Sequence, residues 1–308
     1  MRKTIAKPRR RRKQLTSIDI SYLKGKPLEI QLRIINSNIN RQCKNLVDVK
    51  NLFQQMQANG IAPDKVTYNS IINKHCTTLD QALTFLQQMH VNEIAPNEVT
   101  YNSIINKHCT TLDQALTFLQ QMQVNGIAPD KVTYNSIINK HCKTLDQALT
   151  FLQQMQANGI APDKVTYNSI INKHCKTLDQ ALTFIQKMQV NGIAPDEWTY
   201  NSIINKHCTT LDQALTFLQQ MQANGIAPDK VTYTSIINKH CTTLNEALTF
   251  LQQMQANGIS PNEVTYNSII NKHCTTLNEA LTFLQQMQVN GIAPNEWTYT
   301  SIINKHCT

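Results

Sequence analysis

From Val66 to the end of the chain, apolar and polar positions recur in one order every 33 residues. The order is that of two amphipathic helices joined by short turns. In the unit that opens at Val66, Tyr68, Ile71, Ile72 and His75 share one side of a helical wheel, with Val66, Asn69, Asn73 and Thr77 on the other. Asp64 follows Pro63 and can cap what comes next, so the pattern predicts a first helix from about Lys65 to Cys76. Thr78-Leu79-Asp80-Gln81 then reads as a capping box, with Thr78 as N-cap and Gln81 reaching back to it. The second helix extends from about Leu79 to Val91. Leu79, Ala82, Leu83, Phe85, Leu86 and Met89 form its apolar face, and Asp80, Thr84, Gln87 and Gln88 turn to water. In most units Asn-Gly follows, as at Asn125-Gly126, where glycine suits a left-handed helix end.

Val99–Lys131, VTYNSIINKHCTTLDQALTFLQQMQVNGIAPDK, is matched nearly unchanged from Val66, Val132, Val165, Trp198, Val231, Val264 and Trp297. A degenerate copy precedes them, since Asn36 to Cys43 matches Asn69 to Cys76. One helical pair cannot bury both apolar faces alone, and stacking on its neighbours completes the core. No strand pattern breaks the series. The expectation is an all-α solenoid of stacked helix-turn-helix repeats. Residues 1–31 form a basic tail and a cap, 32–64 a degenerate first repeat, 65–295 seven repeats and 296–308 a half repeat. Ile18, Ile20, Tyr22 and Leu23 are the apolar candidates for the cap. The last helix, in Glu296–Thr308, has no second helix to cover it and is expected to fray or to meet a partner, a protein or a second copy.

Charge changes this picture only at one end. Eight of the 29 Lys and Arg lie within residues 1–13, which hold no acid, so the rest of the chain sets 21 basic residues against 20 acidic ones. The array is therefore near neutral, which predicts a shallow salt dependence for anything it binds. The Arg-rich tail suits a mitochondrial or plastid presequence, with a nuclear-import patch or a nucleic-acid-binding arm as alternatives. No apolar run approaches the roughly 18 residues of a membrane span. Nine cysteines, Cys43, Cys76, Cys109, Cys142, Cys175, Cys208, Cys241, Cys274 and Cys307, hold one position in successive units, as a packing residue would and a disulfide framework would not. The recurring His-Cys pair, as at His75-Cys76, does not converge on one ion, because neighbours on a helix point roughly 100° apart. No catalytic constellation and no cofactor motif is present.

The unit resembles the pentatricopeptide repeat. The resemblance lies in V-T-Y-N-S-I-I at Val99–Ile105, Cys109, L-D-Q-A-L at Leu112–Leu116, F-L-Q-Q-M at Phe118–Met122 and G-I-A-P-D at Gly126–Asp130. It recurs in every unit across residues 32–308, with a turn between the helices two residues shorter than is usual in that family. The resemblance implies a right-handed superhelix that binds single-stranded RNA, one base per repeat. It implies a first reading residue after each T-Y: Asn36 by position, then Asn69, Asn102, Asn135, Asn168, Asn201, Thr234, Asn267 and Thr300. The second reader follows each Pro: Asp64, Asn97, Asp130, Asp163, Asp196, Asp229, Asn262 and Asn295. Val66, Val99, Val132, Val165, Trp198, Val231, Val264 and Trp297 are the implied wedges that sandwich the base.

By the family's pairing, Asn with Asp implies U, Asn with Asn implies C or U, and Thr with Asn implies A. Read in order, the target is 5′-U-Y-U-U-U-U-A-Y-3′, with Y a pyrimidine; Thr300 lacks a second reader. Two further readings stand beside this one. The Asp or Asn after each Pro is also a good helix cap. Helical-hairpin arrays also serve as protein-binding scaffolds, and near-identical units arise by recent expansion or by design. Lys143 and Lys176, where other units have Thr, are candidate phosphate contacts on the polar side of the first helix. Lys74 and its copies can add a basic stripe.

Overall fold

A computed structural model describes residues 18–306; the basic tail, residues 14–17 of the expected cap, and Cys307 lie outside them. Among the described residues every regular element is helical, seventeen α-helices with one short 3-10 turn and one π-helical turn. They fall into two compact units, Met1–His141 and Cys142–Thr308. The first holds α1 (Leu28–Arg41), α2 (Leu46–Ala58), α3 (Lys65–Lys74), α4 (Leu79–Val91), α5 (Glu98–Lys107), α6 (Leu112–Val124) and α7 (Lys131–Ser136), which runs on as the π turn Ile137–His141. The second holds α8 (Leu145–Ala157), α9 (Lys164–Lys173), α10 (Leu178–Val190), α11 (Glu197–Lys206), α12 (Leu211–Ala223), α13 (Lys230–Lys239), α14 (Leu244–Ala256), α15 (Glu263–Lys272), α16 (Leu277–Val289) and α17 (Glu296–His306). Odd-numbered helices are the first of each repeat (A) and even-numbered ones the second (B).

Within the first unit α1, α3, α5 and α7 pack in succession, and within the second α9, α11, α13, α15 and α17 do the same. Within each unit the A helices thus form one layer and the B helices another. The core between them repeats the same side chains: Tyr68, Ile71 and Ile72 of α3 and Ala82, Phe85, Leu86 and Met89 of α4 are all buried. Each buried aliphatic or aromatic side chain contributes about 1.5–3 kcal/mol against remaining exposed, so most of the stability lies in this repeated layer. Leu83, expected on the apolar face, is partly exposed, because it sits at the outer margin of the B layer. No helix of the described residues is long and apolar enough to cross a membrane.

The A helices from α3 to α15 carry a capping box that the sequence reading did not anticipate. Asp64 Oδ1 accepts the Thr67 amide at 2.7 Å, while Thr67 Oγ1 accepts the Asp64 amide at 3.2 Å. The box expected at Thr78 forms only in part. Thr78 caps α4, but Gln81 Oε1 turns to the Thr77 amide at 2.8 Å, one residue further back. At Thr111, Thr243 and Thr276 both halves are present.

At the N-terminal end Ile20 and Leu23 are fully buried, and the Ile20 amide donates to Gln55 Oε1, while Tyr22 is exposed. At the other end α17 is helical through His306 and packs on α15, with Tyr299 and Ile303 exposed.

The turn after each B helix needs a left-handed residue, supplied by glycine at φ +67° in Gly126 and at similar angles in its copies. One unit breaks the rule, with Glu93 at φ +57°. A side chain in that region costs about 1 kcal/mol. Glu93→Gly should therefore raise the urea midpoint by an amount corresponding to about 1 kcal/mol, less the extra freedom glycine gives the unfolded chain. An unchanged or lower midpoint would sink this account of the turn.

Candidate functional site

Within each unit an inner A helix (α3, α5, α11, α13, α15) is flanked by two other A helices and by its own B helix, so only a narrow stripe stays open. That stripe is the line of wedge residues. Val66, Val99, Val132, Val165, Val231 and Val264 are each about half exposed, as are Trp198 at 47% and Trp297 at 51%. Exposed apolar side chains at one register position are unusual for residues that could have been buried, and here the array leaves them no neighbour to pack on.

The residue after T-Y was expected on the polar face, yet it is nearly buried. Asn102, Asn168, Asn201 and Asn267 retain under a tenth of their exposure. The helical wheel of one unit misses this because the covering comes from the next A helix. There a fully buried threonine, the T of V-T-Y, meets the asparagine. Thr67 Oγ1 donates to Asn36 Oδ1 at 2.7 Å, and Thr100, Thr133, Thr199, Thr232 and Thr298 do the same to Asn69, Asn102, Asn168, Asn201 and Asn267. With its oxygen fixed, the amide turns its NH2 to the residue after Pro. Asn36 Nδ2 donates to Asp64, Asn69 to Asn97, Asn102 to Asp130, Asn168 to Asp196 and Asn201 to Asp229, at 3.0–3.3 Å.

The structure therefore brings the two expected readers together as a hydrogen-bonded pair beside an open apolar stripe. Asn135 stands on α7 and Asp163 caps α9; the two belong to different units. Thr234 differs from the asparagines, its hydroxyl meeting that of Thr265 at 2.9 Å, while Asn262 caps α15 through the Thr265 amide. Thr300, on α17, is exposed.

Burial by itself would raise the Asp64, Asp196 and Asp229 carboxyls. Hydrogen bonds from the threonine and asparagine outweigh it, and each is held below its ordinary value. The second readers in these repeats are carboxylates at neutral pH, acceptors only. The groove around Asn201 and Asp229, about 710 Å³, is also lined by Trp198, Val231 and Lys206. A flat apolar wall, a fixed amide and a carboxylate in one cleft can stack a planar ring and address its edge.

The contacts of two recurring series escaped the sequence reading. Lys107 Nζ donates to the Asn73 carbonyl at 2.8 Å, and Lys140, Lys206, Lys239, Lys272 and Lys305 repeat the contact on the preceding A helix. The copies of Lys74 thus satisfy helix C-termini, with their charge on the favourable end of the dipole. His75 Nε2 meets the Ile39 carbonyl at 2.8 Å, and His108, His141, His207, His240 and His273 repeat the contact on the preceding A helix. The capping pattern Asp-x-x-Thr was the available signal for the threonines. Nothing in one unit points to a lysine or histidine that bonds the unit before it. Lys143 and Lys176, candidate phosphate contacts expected on the polar side of the first helix, stand instead in the turn after it, where their backbone amides donate to Gln147 and Gln180.

The cysteines behave as packing residues. Burial pushes the thiols of Cys109, Cys142, Cys175, Cys208, Cys241 and Cys274 up to about 12. Such thiols are protonated at neutral pH and neither attack nor bind metal readily.

A family model for the pentatricopeptide repeat domain matches residues 39–77, 51–111, 117–177, 150–208 and 216–276, well over half of the chain. Among solved structures, the chain is similar to the pentatricopeptide repeat protein PPR10 in complex with an 18-nucleotide psaJ RNA element, at 21% identity and a TM-score of 0.57 over 90% of this chain and 48% of that one. It is likewise similar to PPR10 from maize, at 20% identity and a TM-score of 0.51 over 89% of this chain and 46% of that one. At this identity the likeness is one of fold, and the chain spans about half the length of those proteins. No curated protein matches it in sequence.

Proposed function

Since this chain belongs to the pentatricopeptide repeat family, we propose that it binds single-stranded, U-rich RNA, one base per repeat. The target is 5′-U-Y-U-U-U-U-A-Y-3′, read in order by the residue pairs from Asn36 with Asp64 to Asn267 with Asn295. The observation that carries this reading is the repeated slot, an amide locked by threonine and paired with a carboxylate or a second amide beside an exposed wedge. A scaffold for peptides has no need to fix an asparagine's orientation once per repeat. The RNA in the PPR10 complex supports the same class of ligand. The protein acts by occupancy, masking, stabilising or positioning a transcript.

Fluorescence anisotropy tests this with 5′-UCUUUUAC-3′ RNA, a shuffled RNA and the matching DNA. The full chain and a form lacking residues 2–13 should both prefer the first, the basic tail adding affinity without selectivity. Equal binding of all three by the tail-less form would defeat the proposal and favour a protein partner.

A further inference from the structure

Two slots carry the same reading pair, Asn69 with Asn97 and Asn267 with Asn295, and yet they are wired differently. Asn69 donates its amide to Asn97 Oδ1 at 3.1 Å. Asn295 donates its amide to Glu263 Oε1 instead. Glu263 opens α15, 32 residues before Asn295. In the other slot that position is Lys65, at the start of α3.

The same register recurs elsewhere in the second unit. Lys164, which opens α9, has its Nζ 3.5 Å from Asp196 Oδ2. Glu197, which opens α11, lines one groove with Asp229, and that neighbouring carboxyl pushes the Glu197 titration up. At Lys164 and Glu263 the residue that opens an A helix therefore reaches the second reader of its own repeat, and along the array this position varies between Lys and Glu. It also borders the space where a base edge would lie. Glu263 lines a groove of about 440 Å³ together with Val264, Asn267, Asn295 and Trp297.

We infer that, in the slots that pair Asn with Asn, the residue opening the A helix is a further determinant of base identity, and that it separates these two ambiguous pyrimidine slots: Glu263 selects C at the eighth base and Lys65 selects U at the second. The inference rests on the RNA-reading function proposed above. The two pyrimidines differ where cytosine presents the N4 amino donor and uracil the O4 acceptor. A carboxylate accepts from the amino group and repels the carbonyl; an ammonium does the reverse. The Glu263 carboxylate has about four lone-pair sites, so holding the Asn295 amide leaves it free to accept from a base.

The test uses the full chain and RNAs of the form 5′-UUUUUUAN-3′ and 5′-UNUUUUAC-3′, with N as C or U, and a shuffled control. Wild type should bind the C-ended RNA about five- to tenfold more tightly than the U-ended one, the low end for a contact to one base edge. Glu263→Lys should abolish or invert that ratio and leave the second base unaffected. Lys65→Glu should move the second base toward C and leave the eighth unaffected, which keeps the inference testable even if one variant folds poorly. Melting curves verify the fold of each. Equal binding of the C- and U-ended RNAs by wild type, or an unchanged ratio in Glu263→Lys, overturns this inference while preference over the shuffled RNA leaves the RNA-binding proposal standing. Loss of that preference in wild type overturns both.

Discussion

Changing Thr234 to Asn together with Asn262 to Asp should convert the seventh base from A to U, shifting the ratio of affinities by roughly 1–3 kcal/mol, about five- to a hundred-and-fiftyfold. The structure gives the reason. In the preceding repeat Asn201 takes the Thr232 hydroxyl on its oxygen and gives its amide to Asp229. At position 234 two hydroxyls, those of Thr234 and Thr265, face each other. The double change supplies an amide for Thr265 to lock and a carboxylate for that amide to reach. Lys230 opens the A helix of this repeat, as Lys164 does where Asn168 and Asp196 form their pair, so the new carboxylate stands in a slot of the same charge type. Helix capping survives, since Asp and Asn cap about equally well, and the melting temperature should not move much. Anisotropy titrations with A- and U-bearing RNAs of otherwise identical sequence decide the matter. The same A-to-U ratio before and after the change would sink the assignment of these two residues.

How much of this was legible in the sequence follows from what a single repeat contains. The helix boundaries and the core came from apolar spacing within one unit, and Tyr68, Ile71, Phe85 and Met89 are buried as that spacing implies. The left-handed glycine turn was equally local. What a single unit could not supply was its neighbour. Asn102 looks solvent-facing on its own helix and is buried by the Thr133 side of the next one. His108 sits on an apolar face, but its bond is to Ile72 of the preceding repeat. Lys107 has the look of a free cation and instead bonds the Asn73 carbonyl. In each case the partner lies 31 to 36 residues away. That is one repeat displaced by a few positions, a relation that periodicity alone does not orient. The third influence on each slot, from Lys164 or Glu263, was hidden for the same reason.

The histidine series carries the largest effect on stability. A carbonyl can only accept, so the Nε2 that meets Ile72, Ile105, Ile171, Ile204 or Ile237 must carry the proton. The other ring nitrogen of His108, His141, His207, His240 and His273 is buried without a hydrogen-bond partner. Adding a proton there creates a buried cation with nothing to receive its second N–H. Burial accordingly lowers the titration of all five from the ordinary value of 6.5, and the adjacent lysines act in the same direction, outweighing the opposing carbonyl bond. In the unfolded chain these rings take up protons as the pH falls through 6.5, before the folded ones do. The unfolded state then binds more protons, so stability must fall as the pH drops below that point, by at most about 1.4 kcal/mol per pH unit for each histidine. The readers Asp64, Asp196 and Asp229, whose titration is lowered, add their own loss only near and below their ordinary value of 3.8. Thermal midpoints followed by circular dichroism should therefore be level from pH 8 to 7, fall steeply from about pH 6.5 to 5, and fall again near pH 4. A His207→Gln variant, whose amide can still donate to the Ile171 carbonyl, should lose less stability over the upper step than wild type. A midpoint that stays level from pH 7 to 5 would mean that the rings find room for a second proton, and the histidines would then be packing residues without a role in the acid response.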